Sequence, residues 1–397
     1  MKLFEKGKNE SRKCEPGSLA ITVFLFLTIL VGILYLALAP KQTFSEDENR
    51  VLESFPTVTL ESVRDGSFMD SVEAFVGDHF MLRKFFVSLN TRAQLWTGRR
   101  DLASDYSKVP AEGGIYYGKD GHLYEVLLPN RTDVFQRNVS GFKIFAEKAQ
   151  VPFYVLPVPS GSQEQPDKLP YSAPNHDQRE EFNALQTTLG QSAKVIDVFE
   201  ALSDKDGQDY YYKTDHHWNS YGAYQGYRAL ITEMGYSPAE QEDFDFQKAS
   251  DSFYGTLYSK AILSNQQPDT VYLPVYKKAE KLSQATGNLV QDSIYWKEYL
   301  EKKDKYSVFL GGNHSVDIVK NEVQTNGKKL LILKDSYANS MVPFLATNFS
   351  EIHIIDLRYY NKDIYSYIRQ NGITETAAIY SIKQLCDVLV GNRLLQR

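Results

Sequence analysis

The hydrophobic pattern begins with an unbroken apolar run, residues 19–39 (LAITVFLFLTILVGILYLALA), that carries no charge and no polar face. At 1.5 Å per residue such a run covers about 30 Å of hydrocarbon, so it predicts a transmembrane helix. Residues 40–105 are rich in charge and carry helical spacing, as in Phe68-Met69-Asp70-Ser71-Val72-Glu73-Ala74-Phe75 and Leu82-Arg83-Lys84-Phe85-Phe86-Val87, which predicts a helical stalk or flap. The segment from Gly113 to Tyr124 alternates apolar or aromatic positions around Lys119-Asp120-Gly121, the pattern of a β-hairpin.

Beyond the hairpin, apolar runs of strand length alternate with amphipathic stretches. Helices are predicted near 132–149 and 177–190, and strands over 152–156, 194–198, 329–333, 352–356 and 377–380, with a short helix between the strands at 329–333 and 352–356. This rhythm predicts βαβ units and an α/β domain with a mainly parallel sheet over 106–397. Residues 236–310 break it. They are polar, tyrosine-rich and without a clear period, and read as an insertion or cap that shapes a groove.

Charge sets the orientation of the apolar run. Lys2, Lys6, Lys8, Arg12 and Lys13 precede it and Ser45-Glu46-Asp47-Glu48 follow it, so residues 1–18 are expected in the cytoplasm and the rest of the chain outside, at the cell membrane. Ala37-Leu38-Ala39 has the small-residue look of a signal-peptidase site, but Pro40 is a poor residue after a cut, so an uncleaved single-pass anchor is expected. The formal charge is −6 with both signs interspersed, which lacks the basic face a nucleic-acid binder needs. Cys14 and Cys386 fall on opposite sides of the membrane in this reading, so no disulfide and no cysteine metal site is expected.

Two constellations carry candidate chemistry. The first is Lys213-Thr214-Asp215-His216-His217-Trp218-Asn219-Ser220, ahead of a helical pattern. If the run is extended, Asp215 and His217 share one face, and a carboxylate there would set the tautomer of His217 and stabilise its imidazolium. The bland alternative is a loop that caps the next helix through Asn219 or Ser220. Asp and His are also metal ligands, but no companion Asp-x-Asp motif precedes the run, and no metal is expected. The second is Lys334-Asp335-Ser336-Tyr337, at the end of an apolar strand. The crevice beyond strand C-termini is where sites form in open parallel sheets, and a serine in the turn there can act as a nucleophile beside free backbone N–H groups.

These residues resemble the bacterial DHHW proteins and their relatives, the periplasmic alginate O-acetylation proteins of the SGNH (GDSL-like) hydrolase superfamily. The matching pieces are Glu48-Asn49-Arg50, Gly118-Lys119-Asp120-Gly121, Asp215-His216-His217-Trp218, Phe309-Leu310-Gly311-Gly312, Leu331-Ile332-Leu333-Lys334-Asp335-Ser336-Tyr337 and Ile354-Ile355-Asp356-Leu357-Arg358. The resemblance implies an SGNH-like three-layer sandwich and a triad with Ser336 as nucleophile, His217 as general base and Asp215 as its orienting partner. It further implies a partner, a membrane-bound O-acyltransferase that delivers acyl groups, and a cell-surface polysaccharide as acceptor.

The order is permuted, since Asp-x-His precedes the serine, whereas ordinary SGNH hydrolases place it after. With the chain ending soon after the catalytic domain, glycan binding would have to come from the groove itself. Gly312, Asn313, Tyr337, Trp218 and Arg358 are candidates for oxyanion or substrate contacts, and no cofactor is implied. O-acetyl transfer, the reverse use of the same site as an acetylesterase, and a non-catalytic glycan-binding or assembly subunit with sugars stacked on Tyr210-Tyr211-Tyr212 all remain open at this level.

Overall fold

The computed structural model describes residues 16–48, 50–102, 114–129, 133–203, 207–263 and 265–395. The basic residues ahead of the apolar run, Cys14, Asn49 and Gly113 lie outside the described residues.

The chain divides into two compact units. The smaller comprises residues 1–46 and 50–87. It holds the apolar helix Pro16–Leu38 and, after it, the helices Leu60–Asp65 and Ser67–Asp78. The apolar helix is long and hydrophobic enough to cross a membrane, which fits a single-pass anchor or a signal sequence. In the same unit Arg50 forks onto Asp78, with Nη1 donating to Oδ2 at 2.9 Å.

The larger unit is built on an eight-stranded sheet. Its strands in chain order are β1 (Phe153–Val158), β2 (Lys194–Val195), β3 (Leu282–Thr286), β4 (Leu289–Gln291), β5 (Val316–Asn321), β6 (Lys329–Lys334), β7 (Glu351–Ile355) and β8 (Glu375–Ser381). Across the sheet they run β4-β3-β5-β7-β6-β8-β1-β2. The five strands from β7 to β2 are parallel, and β5, β3 and β4 extend the sheet antiparallel.

The central strand β6 (KLLILK) reads as a continuous apolar run because both its faces are covered. Leu330 and Ile332 enter one core with Tyr224, Tyr227, Leu230 and Ile231 of the helix Ser220–Glu233. Leu331 and Leu333 enter the opposite core with Phe135, Phe142 and Phe145 of the helix Val134–Lys148 and with Leu185 of Arg179–Leu189. Each such side chain taken fully out of water contributes roughly 1.5–3 kcal/mol, so the sheet sits rigidly between its helices.

The stretch 236–310 is more ordered than its sequence suggests. Phe244–Phe253 and Asp269–Tyr276 pair antiparallel, and β3 and β4 join the main sheet. The expected hairpin forms from Ile115–Tyr117 and Leu123–Glu125 around a turn at Lys119–Gly121. The strand expected over 194–198 is confined to its first two residues.

Candidate active site

Both candidate constellations meet at the C-terminal end of β6. Lys334 ends the strand, the Asp335 N–H still donates to Ile379 O of β8 at 3.2 Å, and Ser336 opens a 3₁₀ turn, Ser336–Met341. The first N–H of such a turn has no acceptor within it. Asp335 fixes the turn from beneath. Its Oδ1 accepts from Tyr337 N at 2.9 Å and its Oδ2 from Ser381 N at 2.7 Å and Ser381 Oγ at 2.9 Å. Burial raises the pKa of this carboxyl, and these donors offset the shift only in part.

Asp215, His216 and His217 lie in a bent loop closed by an antiparallel bridge between Tyr211 and Trp218. The loop is not extended as the spacing argument assumed, yet the pairing falls the same way. His217 Nδ1 lies 2.5 Å from Asp215 Oδ1, whereas His216 Nδ1 is 3.8 Å from that oxygen and 2.6 Å from Thr256 Oγ1. On its far side His217 Nε2 meets Ser336 Oγ at 2.6 Å. Asp215 Oδ2 accepts from Thr256 N at 2.7 Å and Thr256 Oγ1 at 3.0 Å, and Oδ1 also accepts from His217 N at 3.0 Å. Asn219 does cap the next helix, accepting from Tyr221 N and Gly222 N, so the capping reading holds, and it leaves the contact between Asp215 and His217 intact.

The electrostatics favour a neutral imidazole beside an ionised carboxylate. Burial presses the His217 imidazolium below its ordinary pKa, His216 adds to this, and Asp215 only partly offsets it. Burial alone would raise the Asp215 pKa, but the two histidines and the Thr256 N–H outweigh it and hold the carboxyl well below the usual range. Asp215, His216 and His217 also bring possible metal-ligand atoms within 4.8 Å of one another. In this structure Asp215 Oδ1 and His217 Nδ1 face each other, and His216 Nδ1 faces Thr256 Oγ1.

The other candidates fall into different places. Trp218 and Tyr337 are buried to 0% and 1% exposure and offer a substrate no surface. Trp218 Nε1 donates to Tyr337 O at 2.9 Å and Ser340 Oγ at 3.0 Å, and the Tyr337 hydroxyl donates to His216 O. Arg358 is bound to Asp356, with Nη2 to Oδ2 at 2.5 Å and Nε to Oδ1 at 2.9 Å. Gly311 and Gly312 take φ of 75° and 98°, which a glycine adopts freely. The Gly312 N–H turns toward Phe309 O at 3.3 Å, while Asn313 is exposed beside it. Tyr211 and Tyr212 are buried at 3% and 4%, so they are closed to a sugar, and the Tyr211 hydroxyl donates to Pro159 O at 2.8 Å.

Two residues at the centre of the site were not expected. The Tyr306 ring stacks on His217 with centroids 3.9 Å apart at 10°, and its hydroxyl donates to Ser336 O at 2.9 Å. Thr256 anchors Asp215. Neither carries a motif; both come from the stretch without a period.

A model of the DHHW protein family matches residues 148–355, just over half of the chain and the whole span from β1 to the end of β7. The chain belongs to the DHHW family. The kinship expected from Asp215-His216-His217-Trp218 therefore holds. Among solved structures, a DHHW family protein from Eubacterium siraeum is 23% identical, with TM-score 0.62 over 71% of this chain and 94% of that one. Bacillus cereus PatB1 is 24% identical, with TM-score 0.59 over 70% of this chain and 98% of that one. A looser likeness, TM-score 0.45 at 12% identity over 69% of this chain and 92% of that one, is to the O-acetyltransferase domain of Pseudomonas putida AlgJ. No curated protein matches the chain. The Eubacterium siraeum and Bacillus cereus structures share the fold of this chain, a mixed α/β architecture with a large, mostly parallel sheet.

Proposed function

We propose that this DHHW protein transfers acyl groups, acetyl in the first instance, to a cell-surface polysaccharide through an acyl-enzyme at Ser336. The observation that carries the reading is the unbroken line from Asp215 Oδ1 to His217 Nδ1 at 2.5 Å and from His217 Nε2 to Ser336 Oγ at 2.6 Å. Asp215 holds the tautomer with the proton on Nδ1, which leaves Nε2 to accept the serine proton.

Ser336 Oγ attacks the donor's carbonyl carbon as its proton passes to His217 Nε2. The tetrahedral oxyanion then collapses, and the leaving group departs with that proton. An acceptor hydroxyl next attacks the Ser336 ester, its proton passes to His217, and the serine leaves with the proton restored. Asn313 and the Ser336 N–H are our candidates for the oxyanion donors. The domain is an SGNH-like sandwich with its motifs in permuted order. The apolar helix anchors it with the N-terminus cytoplasmic and the site outside, where a membrane-bound O-acyltransferase supplies the acyl donor. If water took the place of the sugar hydroxyl, the same site would be an acetylesterase.

Bacillus cereus PatB1 has been obtained with a sulfonyl adduct, which suggests the probe. We expect an aryl sulfonyl fluoride to add one sulfonyl group to the full-length protein at Ser336, and Ser336→Ala to take none and to lose release of acetyl from a model ester. Labelling elsewhere, or ester cleavage that survives Ser336→Ala, refutes the nucleophile. Surface acetyl content separates the two uses of the site: deletion of the gene lowers it for a transferase and raises it for an esterase.

A further inference from the structure

Lys334 stands two residues before Ser336 and is fully buried, an unusual place for an ammonium. A buried ammonium must spend its N–H groups on acceptors. Lys334 Nζ donates to Asn313 Oδ1 at 2.5 Å and to Asn339 Oδ1 at 2.7 Å. Because an ammonium only donates, both amides must turn their oxygens toward it, which settles the orientation of each. The Asn339 NH2 then reaches Gly312 O at 3.1 Å, so lysine and asparagine together clamp the Gly312-Asn313 corner to the turn that begins with Ser336. The Asn313 NH2 is left facing away from the ammonium on an exposed residue, with no hydrogen bond to an acceptor among the described residues.

We propose that Lys334 is a positioning residue: its grip on Asn313 Oδ1 and Asn339 Oδ1 aims the Asn313 Nδ2–H at the oxyanion that forms when Ser336 attacks an acyl carbonyl. This rests on the reading of Ser336 as nucleophile. A hydrophobic residue would fill the same space at lower desolvation cost, so the cation has to be accounted for by what it holds. Burial pulls the Lys334 pKa down to about 8, with Arg358 pulling the same way and Asp356, Asp317 and Asp335 opposing. The group is therefore charged at neutral pH and loses its proton just above it.

The test compares full-length wild type with Lys334→Met, Asn313→Ala and the double variant in steady-state hydrolysis of 4-nitrophenyl acetate. Each single variant is expected to lower kcat about 10²-fold, the usual effect of one lost oxyanion donor, with KM little changed. The double variant should be no worse than Asn313→Ala, because Lys334 acts through that amide. The wild-type kcat should fall as pH rises past about 8, and Lys334→Met should lack that limb. If Lys334→Met does not fold, Asn313→Asp keeps an oxygen on the ammonium but replaces the N–H donor with a negatively charged acceptor; it should melt no lower than wild type and lose at least as much kcat as Asn313→Ala.

A Lys334→Met enzyme within twofold of wild type, losses that multiply in the double variant, or full activity in Asn313→Asp overturns the proposal while leaving Ser336 as nucleophile. A wild type that neither cleaves the ester nor takes a sulfonyl label at Ser336 removes the nucleophile reading and this one with it.

Discussion

Asp215→Asn separates the orienting role from simple packing, because each carboxylate oxygen already holds a backbone N–H. Oδ1 takes His217 N as well as Nδ1, and Oδ2 takes Thr256 N. An asparagine has one oxygen and one NH2, so whichever way it turns, NH2 faces a backbone N–H that cannot accept. With the oxygen toward Thr256, the NH2 meets His217 Nδ1 and drives the ring to the tautomer protonated on Nε2, which cannot take the Ser336 proton. With the oxygen toward His217, the tautomer survives but the charge that stabilises the imidazolium is gone. Loss of tautomer and charge together is expected to lower kcat by about 10⁴-fold, or about 5.4 kcal/mol. The stranded N–H should cost about 1–3 kcal/mol of stability, read as a lower melting temperature. Model-ester hydrolysis and a thermal melt on the same preparation check both numbers. Activity within tenfold of wild type would refute the claim that Asp215 sets the state of His217.

Two further outcomes follow from the same geometry. The acid limb of kcat/KM should fall with a midpoint below the ordinary histidine value of about 6.5, since burial and His216 disfavour the His217 imidazolium. Stability should fall over the same range, because below about pH 6.5 the unfolded chain takes up a proton that folded His217 resists; a pH series of melts that is flat from 7 to 5 contradicts this. Gly255→Ala should cut activity at least tenfold and destabilise the fold, because a Cβ there would lie 2.2 Å from Asp215 Cβ and 2.3 Å from its Oδ2; wild-type kinetics in that variant would show that the carboxylate need not stay where it is.

The parallel half of the sheet was readable because its strands are apolar on both faces, as in Lys329-Leu330-Leu331-Ile332-Leu333, and because helices of clear period separate them. The antiparallel half was not, for a physical reason. Gln284 of β3 and Asp317 of β5 are buried polar residues joined at 3.0 Å, so the apolar–polar alternation that marks a half-buried strand is broken where it should be clearest. The same limit hid Thr256 and Tyr306, whose roles depend on hydrogen bonds and ring contacts with residues 41 and 89 positions away, Asp215 and His217. Lys334 could be read as a strand end but not as a buried cation, since nothing local predicts the two amides that accept from it.

The geometry of the site is set by what fastens two loops together and not by which comes first in the chain. Ser336 is fixed to the sheet through Asp335 and Ser381, and His217 sits on the loop that leads into Ser220–Glu233, the helix packed on one face of β6. Three buried aromatic side chains stitch those loops: Trp218 Nε1 to Tyr337 O, the Tyr337 hydroxyl to His216 O, and the Tyr306 hydroxyl to Ser336 O. Each such bond contributes only about 0.5–1.5 kcal/mol to stability. Their larger effect is geometric, since proton transfer from serine to imidazole tolerates an error of only about 0.5 Å. On the proposed mechanism the tryptophan of Asp215-His216-His217-Trp218 would therefore serve the chemistry without touching a substrate: its bond to Tyr337 O fastens the loop that carries His217 to the turn that begins with Ser336.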